Sequence, residues 1–274
     1  MPELPEVETT KRGIEPHILN QRIERIEVRQ PRLRWPIPES ISRQLYGLII
    51  QKVQRRSKYL ILSLSNGQHL LIHLGMSGSL RIVRKNSASE ALRKHDHVIF
   101  SFNDCEMRYH DPRRFGAILL SENDWQAHEL IRHLGPEPLE DGFSDEHLYH
   151  KSRGKTVAVK QFIMDAKHVV GVGNIYANEA LFLAGIHPKR AAGKISKARY
   201  AKLSQAIRQV LSSAITQGGT TLRDFVNADN NPGYFQQTLH VYGRENQPCT
   251  RCSKPLTPLR MNNRATVFCS TCQR

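Results

Sequence analysis

The chain has no long hydrophobic run, and only five of its 274 residues are cysteine. No segment approaches the roughly 18 uncharged apolar residues of a transmembrane helix. The N-terminus also lacks the apolar stretch of a secretory signal, so we expect a cytoplasmic protein without membrane attachment. Five cysteines in such a chain argue against a scaffold held together by disulfides.

The basic residues are distributed unevenly along the chain. Residues 1–150 contain 21 Lys and Arg against 20 Asp and Glu, whereas residues 151–274 contain 19 against 5. Almost the whole formal net charge of +15 therefore lies in the second part. A solubilising surface would not need such segregation, so we expect the second part to bind nucleic acid.

The first part is dominated by short strand patterns. Asn66-Gly67 lies between two apolar runs and is typical of a β-hairpin turn, and Asn103-Asp104 predicts a second hairpin. The predicted elements are a helix over 5–18 and strands over 22–29, 59–64, 69–74, 97–102, 106–110 and 116–120. Such strands favour an antiparallel sandwich or a barrel-like sheet.

The periodicity becomes helical after a segment rich in proline and glycine over 134–142, which is predicted to be a linker. The predicted helices span 143–152, 156–165, 175–183 and 196–216. The last of them is expected to end at Gly218-Gly219, because glycine favours the conformation that follows a helix.

Four of the cysteines form two CxxC pairs: Cys249 with Cys252, and Cys269 with Cys272. Four thiolates at this spacing predict one structural Zn²⁺ per chain, with all four coordination positions filled by protein. The segments 256–261 and 265–268 between the pairs are predicted to form a β-hairpin. The fifth cysteine, Cys105, is predicted to be a buried strand thiol.

The N-terminus begins Met1-Pro2-Glu3. Removal of Met1 would expose the secondary amine of Pro2, and an α-amino group with a pKa of roughly 7.7–8.0 is partly neutral at pH 7. Such an amine can attack an aldehyde-level carbon, and the resulting iminium stays positive without a proton and acts as an electron sink. Glu3 could then act as a general acid or base. A structural role at the start of a helix would explain the same two residues.

Further motifs, taken with these, resemble the bacterial formamidopyrimidine-DNA glycosylases over essentially the whole chain. They are the opening PELPEVE, segments 54–59, 73–78, 94–97, 111–116, 171–176 and 218–225, and the terminal CxxC pairs. The resemblance implies a bifunctional base-excision repair enzyme that acts on nucleoid DNA. It would remove oxidised purines, namely 8-oxoguanine and formamidopyrimidines, and nick the resulting abasic site by β,δ-elimination.

The resemblance also implies an α+β architecture. Residues 1–133 would form a catalytic antiparallel β-sandwich with flanking helices, and 134–142 the linker. Residues 143–236 would form a helix–two-turn–helix DNA-binding module, and 237–274 a zinc-finger β-hairpin. The implied partner is damaged double-stranded DNA. We expect no obligate protein partner and a monomer, since the sequence has no obvious oligomerisation device.

The residues that match the family's catalytic positions are Pro2, Glu3, Lys58 and Arg264. Lys58 would assist near the reacting sugar, and Arg264 would contact a phosphate and assist δ-elimination. Taken alone, Lys58 could equally be a phosphate contact or a solvated charge.

A second set matches the family's DNA contacts. Met76, Arg113 and Phe115 would fill the space left by the extruded base, although Met76 and Phe115 alone could also be core residues. His95 and Arg113 would contact DNA. Asn174 would bind phosphate at a helix N-terminus, a role compatible with that of a helix cap.

The sequence departs from the family at two places. The segment before Thr156 is one residue short, so that either Arg153 or Lys155 could supply a phosphate contact. Arg223 replaces a more usual lysine in the lesion-binding loop, which preserves the charge but alters the hydrogen-bond geometry.

Two other functions remain as alternatives. Endonuclease VIII shares the fold, the proline and the zinc but prefers oxidised pyrimidines. Leu4, the Met-Arg-Phe set and the Gly-Gly-Thr-Thr loop favour the purine enzyme. A non-enzymatic zinc-ribbon protein would explain the charge and the cysteines, but it would leave the N-terminal Pro-Glu and the neutral first part without a role.

Overall fold

The computed structural model describes residues 2–85, 91–122, 124–218 and 239–274. These residues divide into two compact units: the first consists of residues 2–132 and Gly218, and the second of residues 133–217 and 239–274. None of the helices in these ranges is long and apolar enough to cross a membrane. The finer predicted boundaries, at 142 and 236, stay predictions.

The first unit consists mainly of antiparallel sheet. In chain order its elements are α1 (Leu4–Ile18), β1 (Arg25–Val28), α2 (Ile41–Leu45), β2 (Ile50–Arg56), β3 (Tyr59–Leu64), β4 (His69–His73), β5 (Ser79–Arg84), β6 (Asp96–Ser101), β7 (Cys105–His110) and β8 (Ala117–Ser121). The strands form two four-stranded sheets with the orders β1-β6-β7-β5 and β2-β3-β4-β8. This confirms the predicted sandwich with flanking helices.

The core of this unit lies between the sheets and α1. Alternate residues of β3 and β4, such as Leu60, Leu62 and Ile72, join side chains of α1 and the other sheet in one apolar cluster. Each fully buried side chain of this size contributes roughly 1.5–3 kcal/mol of hydrophobic stabilisation. Cys105, the predicted strand thiol, is 5% exposed and belongs to the same cluster.

Both predicted hairpins are present, β3–β4 around Asn66-Gly67 and β6–β7 around Asn103-Asp104. Local sequence patterns did not predict α2, β2 and β5. β2 shows no clean alternation because its register shifts between Ile50 and Lys52, and most of its side chains are exposed or half-buried. The alternation of β5 is interrupted by Arg81, a buried arginine that forms an ion pair with Asp96.

The second unit is helical, with a two-stranded hairpin near the C-terminus. Its elements are α3 (His147–Ser152), α4 (Val159–Met164), α5 (Asn174–Leu183), α6 (Lys197–Thr216), β9 (Thr257–Met261) and β10 (Arg264–Phe268). α5 packs against both α6 and β10. As predicted, α6 ends just before a glycine of positive φ, Gly218 (+77°); Gly219 lies outside the described residues.

The predicted helix over 143–152 is too long, because α3 begins only at His147. The reason is tertiary: Phe143 is buried, its carbonyl accepts a hydrogen bond from Arg208, and the same guanidinium binds the Asp145 carboxylate. These contacts hold residues 143–146 in an irregular conformation. The helix predicted over 156–165 is likewise shorter, at Val159–Met164.

Candidate active site and metal centre

Pro2 and Glu3 are both buried at the start of α1. Glu3 is the N-cap residue and forms a capping box with Glu6, whose Oε2 accepts the backbone N–H of Glu3 at 2.8 Å. This segment therefore has the structural role of a helix start. It also fixes the position of the Glu3 carboxylate relative to Pro2, which a general acid beside that residue would require.

The turn between β2 and β3 carries Lys58 and is tied to α1. Arg55 Nε donates to Glu8 Oε2 on α1 at 2.9 Å, and Arg55 also donates to the carbonyl of Ser57 at 3.0 Å. Burial would raise the pKa of Glu8, but its hydrogen bonds to Arg55 and Arg12 outweigh burial and lower it. Through this ion pair, the half-buried Lys58 is held in the part of the unit where α1 packs.

His73 lies at the end of β4, beside this turn. Burial, together with the nearby positive charges of Lys58 and Arg34, lowers its pKa to about 4. The imidazole is therefore neutral at pH 7, and its Nδ1 can accept the backbone N–H of Gly75 at 3.1 Å. This hydrogen bond fixes the start of the loop that carries Met76.

The three residues predicted to fill the space of an extruded base lie on two loops of the first unit. Met76 is 37% exposed and Phe115 46% exposed, so the alternative that they are core residues does not hold. Arg113 is exposed as well, and its guanidinium carbon lies 5.0 Å from the centre of the Phe115 ring. The three side chains are thus available to a ligand.

His95 is half-buried in the segment just before β6. Its ring centre lies 5.9 Å from those of His97 and His110. His97 Nε2 is hydrogen-bonded to the carbonyl of Asp111 at 2.8 Å, and His110 Nδ1 to Asp96 at 3.0 Å. The two flanking histidines therefore have structural partners and hold the segment that carries His95.

In the second unit the structure brings Asn174 and Arg264 together. Asn174 is the first residue of α5, which begins one residue earlier than predicted, and Gly173 is its N-cap. Asn174 Nδ2 donates to the carbonyl of Ala265 at 3.0 Å. Arg264, at the start of β10, is the neighbour of that residue and is exposed. A helix N-terminus and an arginine at one place form an arrangement suited to a phosphate.

The segment before Thr156 places its two basic residues differently. Arg153 Nε donates to the carbonyl of Tyr149 at 3.1 Å, and its Nη2 donates to that of Ile195 at 2.9 Å. The guanidinium also stacks on the Tyr149 ring at 4.0 Å. The Lys155 side chain is exposed, and the hydrogen bonds of its residue run through the backbone to Ser152 and Gly193.

The cysteines Cys249, Cys252, Cys269 and Cys272 form a compact cluster, with their sulfur atoms within 4.8 Å of one another. Individual Sγ–Sγ distances are 4.0 Å for Cys249–Cys272 and 3.5 Å for Cys252–Cys269. Zn–S bonds of about 2.3 Å in a tetrahedron place sulfurs roughly 3.8 Å apart, whereas a disulfide needs about 2.05 Å. The cluster is therefore arranged to hold one zinc ion, and the sulfurs are too far apart for disulfides.

Several buried polar residues that were not predicted from the sequence fix the finger to the helices. Lys160 Nζ donates to the carbonyl of Ala265 at 2.9 Å and to Thr266 Oγ1 at 2.7 Å. Asn178 Oδ1 accepts the backbone N–H of Val267 at 2.9 Å, and Glu179 accepts backbone N–H groups of residues 240–242. The signal that could have found the last two was an Asn-Glu pair inside an otherwise apolar helix.

The positions of the predicted residues thus fall into two groups. The first unit contains Pro2, Glu3, Lys58 and His95 together with the two loops, and the second contains Arg153, Lys155, Asn174, Arg264 and the cysteines. Arg223 lies outside the described residues.

Comparison with known proteins covers nearly the whole chain. Residues 1–118 match the formamidopyrimidine-DNA glycosylase N-terminal domain, residues 134–226 the H2TH domain of the same enzyme, and residues 246–274 the zinc finger found in FPG and IleRS. The formamidopyrimidine-DNA glycosylase of Cellvibrio japonicus is 57% identical over 274 residues, which cover all of both chains.

Solved structures give the same result. A Lactococcus lactis FPG mutant in complex with a Fapy-dG containing DNA superposes with a TM-score of 0.92 at 34% identity and covers 100% of both chains. The MutM (FPG) protein of Thermus thermophilus gives a TM-score of 0.89 at 35% identity, over 99% of this chain and 98% of that one. The chain described here therefore belongs to the formamidopyrimidine-DNA glycosylases, zinc-finger DNA glycosylases that act on damaged DNA in base excision repair.

Proposed function

We propose that the chain excises oxidised purines from duplex DNA by attack of the Pro2 amine on the damaged nucleotide, and then nicks the abasic site. The observation that carries this proposal is the burial of Pro2 and Glu3 at the start of α1, a helix whose Glu8 is joined through Arg55 to the turn of Lys58. The Fapy-dG DNA bound to the related Lactococcus lactis protein supports purine-derived lesions.

In the first step the Pro2 nitrogen forms a bond to C1′ of the nucleotide. The bond between C1′ and the base breaks, and protonation of the sugar ring oxygen, with Glu3 as the acid, opens the ring. The departing base takes the electron pair of its bond and the proton that the Pro2 nitrogen gives up. The nitrogen lone pair then displaces the ring oxygen, which stays on C4′ as a hydroxyl, so that a cationic iminium links Pro2 and C1′.

The iminium then promotes strand cleavage. It withdraws electrons from C2′, so that a C2′ proton leaves and the bond to the 3′-phosphate breaks in β-elimination. Loss of a further proton expels the 5′-phosphate in δ-elimination. Lys58 lies beside the neutral His73. The Lys58 ammonium would stabilise the negative charge that develops on the leaving groups.

DNA binding is assigned to groups on each unit. Met76, Arg113 and Phe115 would occupy the space of the extruded base as an apolar wedge, a hydrogen-bonding plane and a stacking ring. His95 would contact the strand nearby.

The phosphate contacts on the second unit would come from Asn174, Arg264 and Lys155. We assign the contact before Thr156 to Lys155 rather than Arg153, because at least two donor groups of Arg153 are used within the protein. The zinc held by the four cysteines would supply a cross-link for the hairpin that carries Arg264. We further propose that the protein acts as a monomer on chromosomal DNA in the cytoplasm.

Duplexes that carry either 8-oxoguanine opposite cytosine or thymine glycol test the substrate class. We expect faster excision of 8-oxoguanine; a clear preference for thymine glycol would instead indicate the specificity of endonuclease VIII. Binding without any cleavage of lesion or abasic DNA would indicate a non-enzymatic protein.

Borohydride reduction tests the nucleophile. The expected result is a covalent protein–DNA adduct that peptide mapping places on Pro2, and Glu3→Gln should bind duplex normally but release base slowly. Protein shown by mass to retain Met1 serves as the matched control, since its proline nitrogen is an amide, and it should be inactive. An adduct on Lys58, or full activity with Met1 retained, would contradict the mechanism.

A further inference from the structure

Met76, Arg113 and Phe115 together are called the wedge. We infer that Asp111 is a positioning residue for this wedge, because its buried carboxylate joins the two loops that carry the three side chains. The inference rests on the void-filling role proposed above for these three side chains. The first loop spans 74–78, between β4 and β5, and the second spans 111–116, between β7 and β8.

The Asp111 side chain is completely buried, and both of its oxygens accept hydrogen bonds. Oδ1 accepts the hydroxyl of Ser77, on the first loop, at 2.7 Å. Oδ2 accepts the backbone N–H of Gly116, at the end of the second loop, at 2.9 Å and the hydroxyl of Tyr109 at 3.2 Å. One carboxylate therefore bonds to both loops and to strand β7.

Ser77 extends this connection to a void-filling residue. Its hydroxyl donates to Asp111, and its oxygen accepts the backbone N–H of Arg113 at 3.2 Å. Ser77 is only 2% exposed, so water does not compete for these bonds. The main chain at Arg113 is thereby fixed to the loop that carries Met76.

The backbones of the two loops are also in direct contact. A Cβ atom on Gly75 would lie 2.4 Å from both the carbonyl carbon of Phe115 and the nitrogen of Gly116. A Cβ on Gly116 would lie 1.7 Å from the hydroxyl oxygen of Tyr109. Only glycine permits this approach, so neither loop can shift by itself while the contact lasts.

These contacts make the wedge one body with three exposed side chains. Filling a base-sized gap requires the three groups to enter the stack in register, and a displacement of about 1 Å can reduce a rate by as much as roughly 100-fold. Loss of the Asp111–Ser77 link should therefore impair steps that need the wedge and spare steps that do not.

The variants Ser77→Ala and Asp111→Ala test the inference in the full-length protein, with Met76→Ala as the reference for a damaged wedge. Ser63→Ala is the matched control: its hydroxyl is hydrogen-bonded to His69 at 3.1 Å, at the opposite end of the β3–β4 pair from the loops. Ser77→Ala removes one link of the network and carries the test if Asp111→Ala does not fold.

Two measurements separate positioning from general damage. The first is the fluorescence of 2-aminopurine next to a reduced abasic site in duplex DNA, which rises when the neighbouring base unstacks. The second compares single-turnover excision of 8-oxoguanine from duplex with cleavage of single-stranded abasic DNA, in which no base stack has to be filled.

We expect Ser77→Ala to diminish the 2-aminopurine signal and to slow duplex excision roughly tenfold, with single-stranded cleavage unchanged. Asp111→Ala should lower the 2-aminopurine signal and the rate of duplex excision further, again with single-stranded cleavage unchanged. Asp111→Asn should restore most of the loss, because its oxygen can accept from Gly116 and its amide can donate to Ser77. Ser63→Ala should match the wild type.

The inference is wrong if Ser77→Ala and Asp111→Ala equal the wild type in both measurements while Met76→Ala is defective. Equal slowing of duplex and single-stranded substrates would also overturn it, since it would indicate a general structural role. If Met76→Ala itself behaves as the wild type, the proposed void-filling role fails, and the positioning inference fails with it.

Discussion

The sheet unit and the zinc finger hold their functional residues by different means. In the sheet unit, apolar side chains of α1 and both sheets fill a common core, and the loops of the wedge are anchored to its edge. In the finger, the described apolar cluster around Cys249 and Cys269 is small: it contains Val241, Leu256 and Val267 of the finger, with Phe182 and Leu183 of α5 packed against them. So small a cluster cannot fold a hairpin without help from a metal. The two regions should therefore fail under different conditions.

The largest expected effect is that of zinc removal, which should unfold the finger and leave the sheet unit folded. Chelation, or Cys252→Ser, should abolish zinc binding and weaken duplex affinity roughly 100-fold, because several of the six Lys and Arg in residues 239–274 would lose their phosphates. Metal analysis and binding titrations measure both effects.

Cys105→Ala serves as the control for the zinc experiment. This thiol is buried in the core of the sheet unit, so the variant should keep one zinc per chain and the affinity of the wild type. Tight duplex binding by a zinc-free Cys252→Ser protein would show that the finger folds without metal. It would contradict the proposed difference between the sheet unit, which has its own core, and the finger, which depends on zinc.

A graded effect, without complete unfolding of a region, is expected from acidification of the sheet unit. His73 has an ordinary pKa of 6.5 and a folded-state pKa of about 4, so the unfolded chain binds a proton first. Its contribution to stability is complete above pH 6.5, decreases as the pH falls, and is lost by about pH 4. At about 1.4 kcal/mol per pH unit, the loss is about 3 kcal/mol.

Both tryptophans, Trp35 and Trp125, lie in the first unit, so their fluorescence in urea titrations reports on the sheet unit. His73→Asn keeps an acceptor for the N–H of Gly75 but does not titrate, and should show a correspondingly flatter pH dependence between 6.5 and 4. An unchanged dependence in this variant would show that His73 is not responsible. Zinc release, followed with a coloured chelator, reports on the finger in the same samples.

The smallest effect concerns single phosphate contacts on the basic unit. Lys155→Gln should reduce the slope of log affinity against log salt by about 0.9, since one counterion fewer would be released. Arg153→Gln is the matched comparison and should leave the slope unchanged while lowering thermal stability, because the guanidinium is bonded to Tyr149 and Ile195. The reverse outcome would exchange the roles of the two residues.

Sequence reasoning succeeded where the determining interactions are local. The Asn66-Gly67 hairpin and the CxxC pairs are encoded within a few residues, and the structure confirms both. It failed where tertiary contacts override local preference, as at Phe143, whose carbonyl is held by Arg208. The hydrogen bond between Lys160 and Thr266 joins two residues that are 106 positions apart in the sequence, and no local pattern predicts it. The same holds for the Asp111 network, which connects two separate loops.

The contact between Gly75 and the main chain at Phe115 also restricts how this enzyme can be redesigned. Surface loops usually tolerate insertions and deletions and can be exchanged singly between relatives. Here a change of length in one loop would separate the Asp111 carboxylate from either Ser77 or Gly116. To adapt the proposed wedge to another lesion, segments 74–78 and 111–116 and the Tyr109 side chain would have to be replaced together by those of one relative.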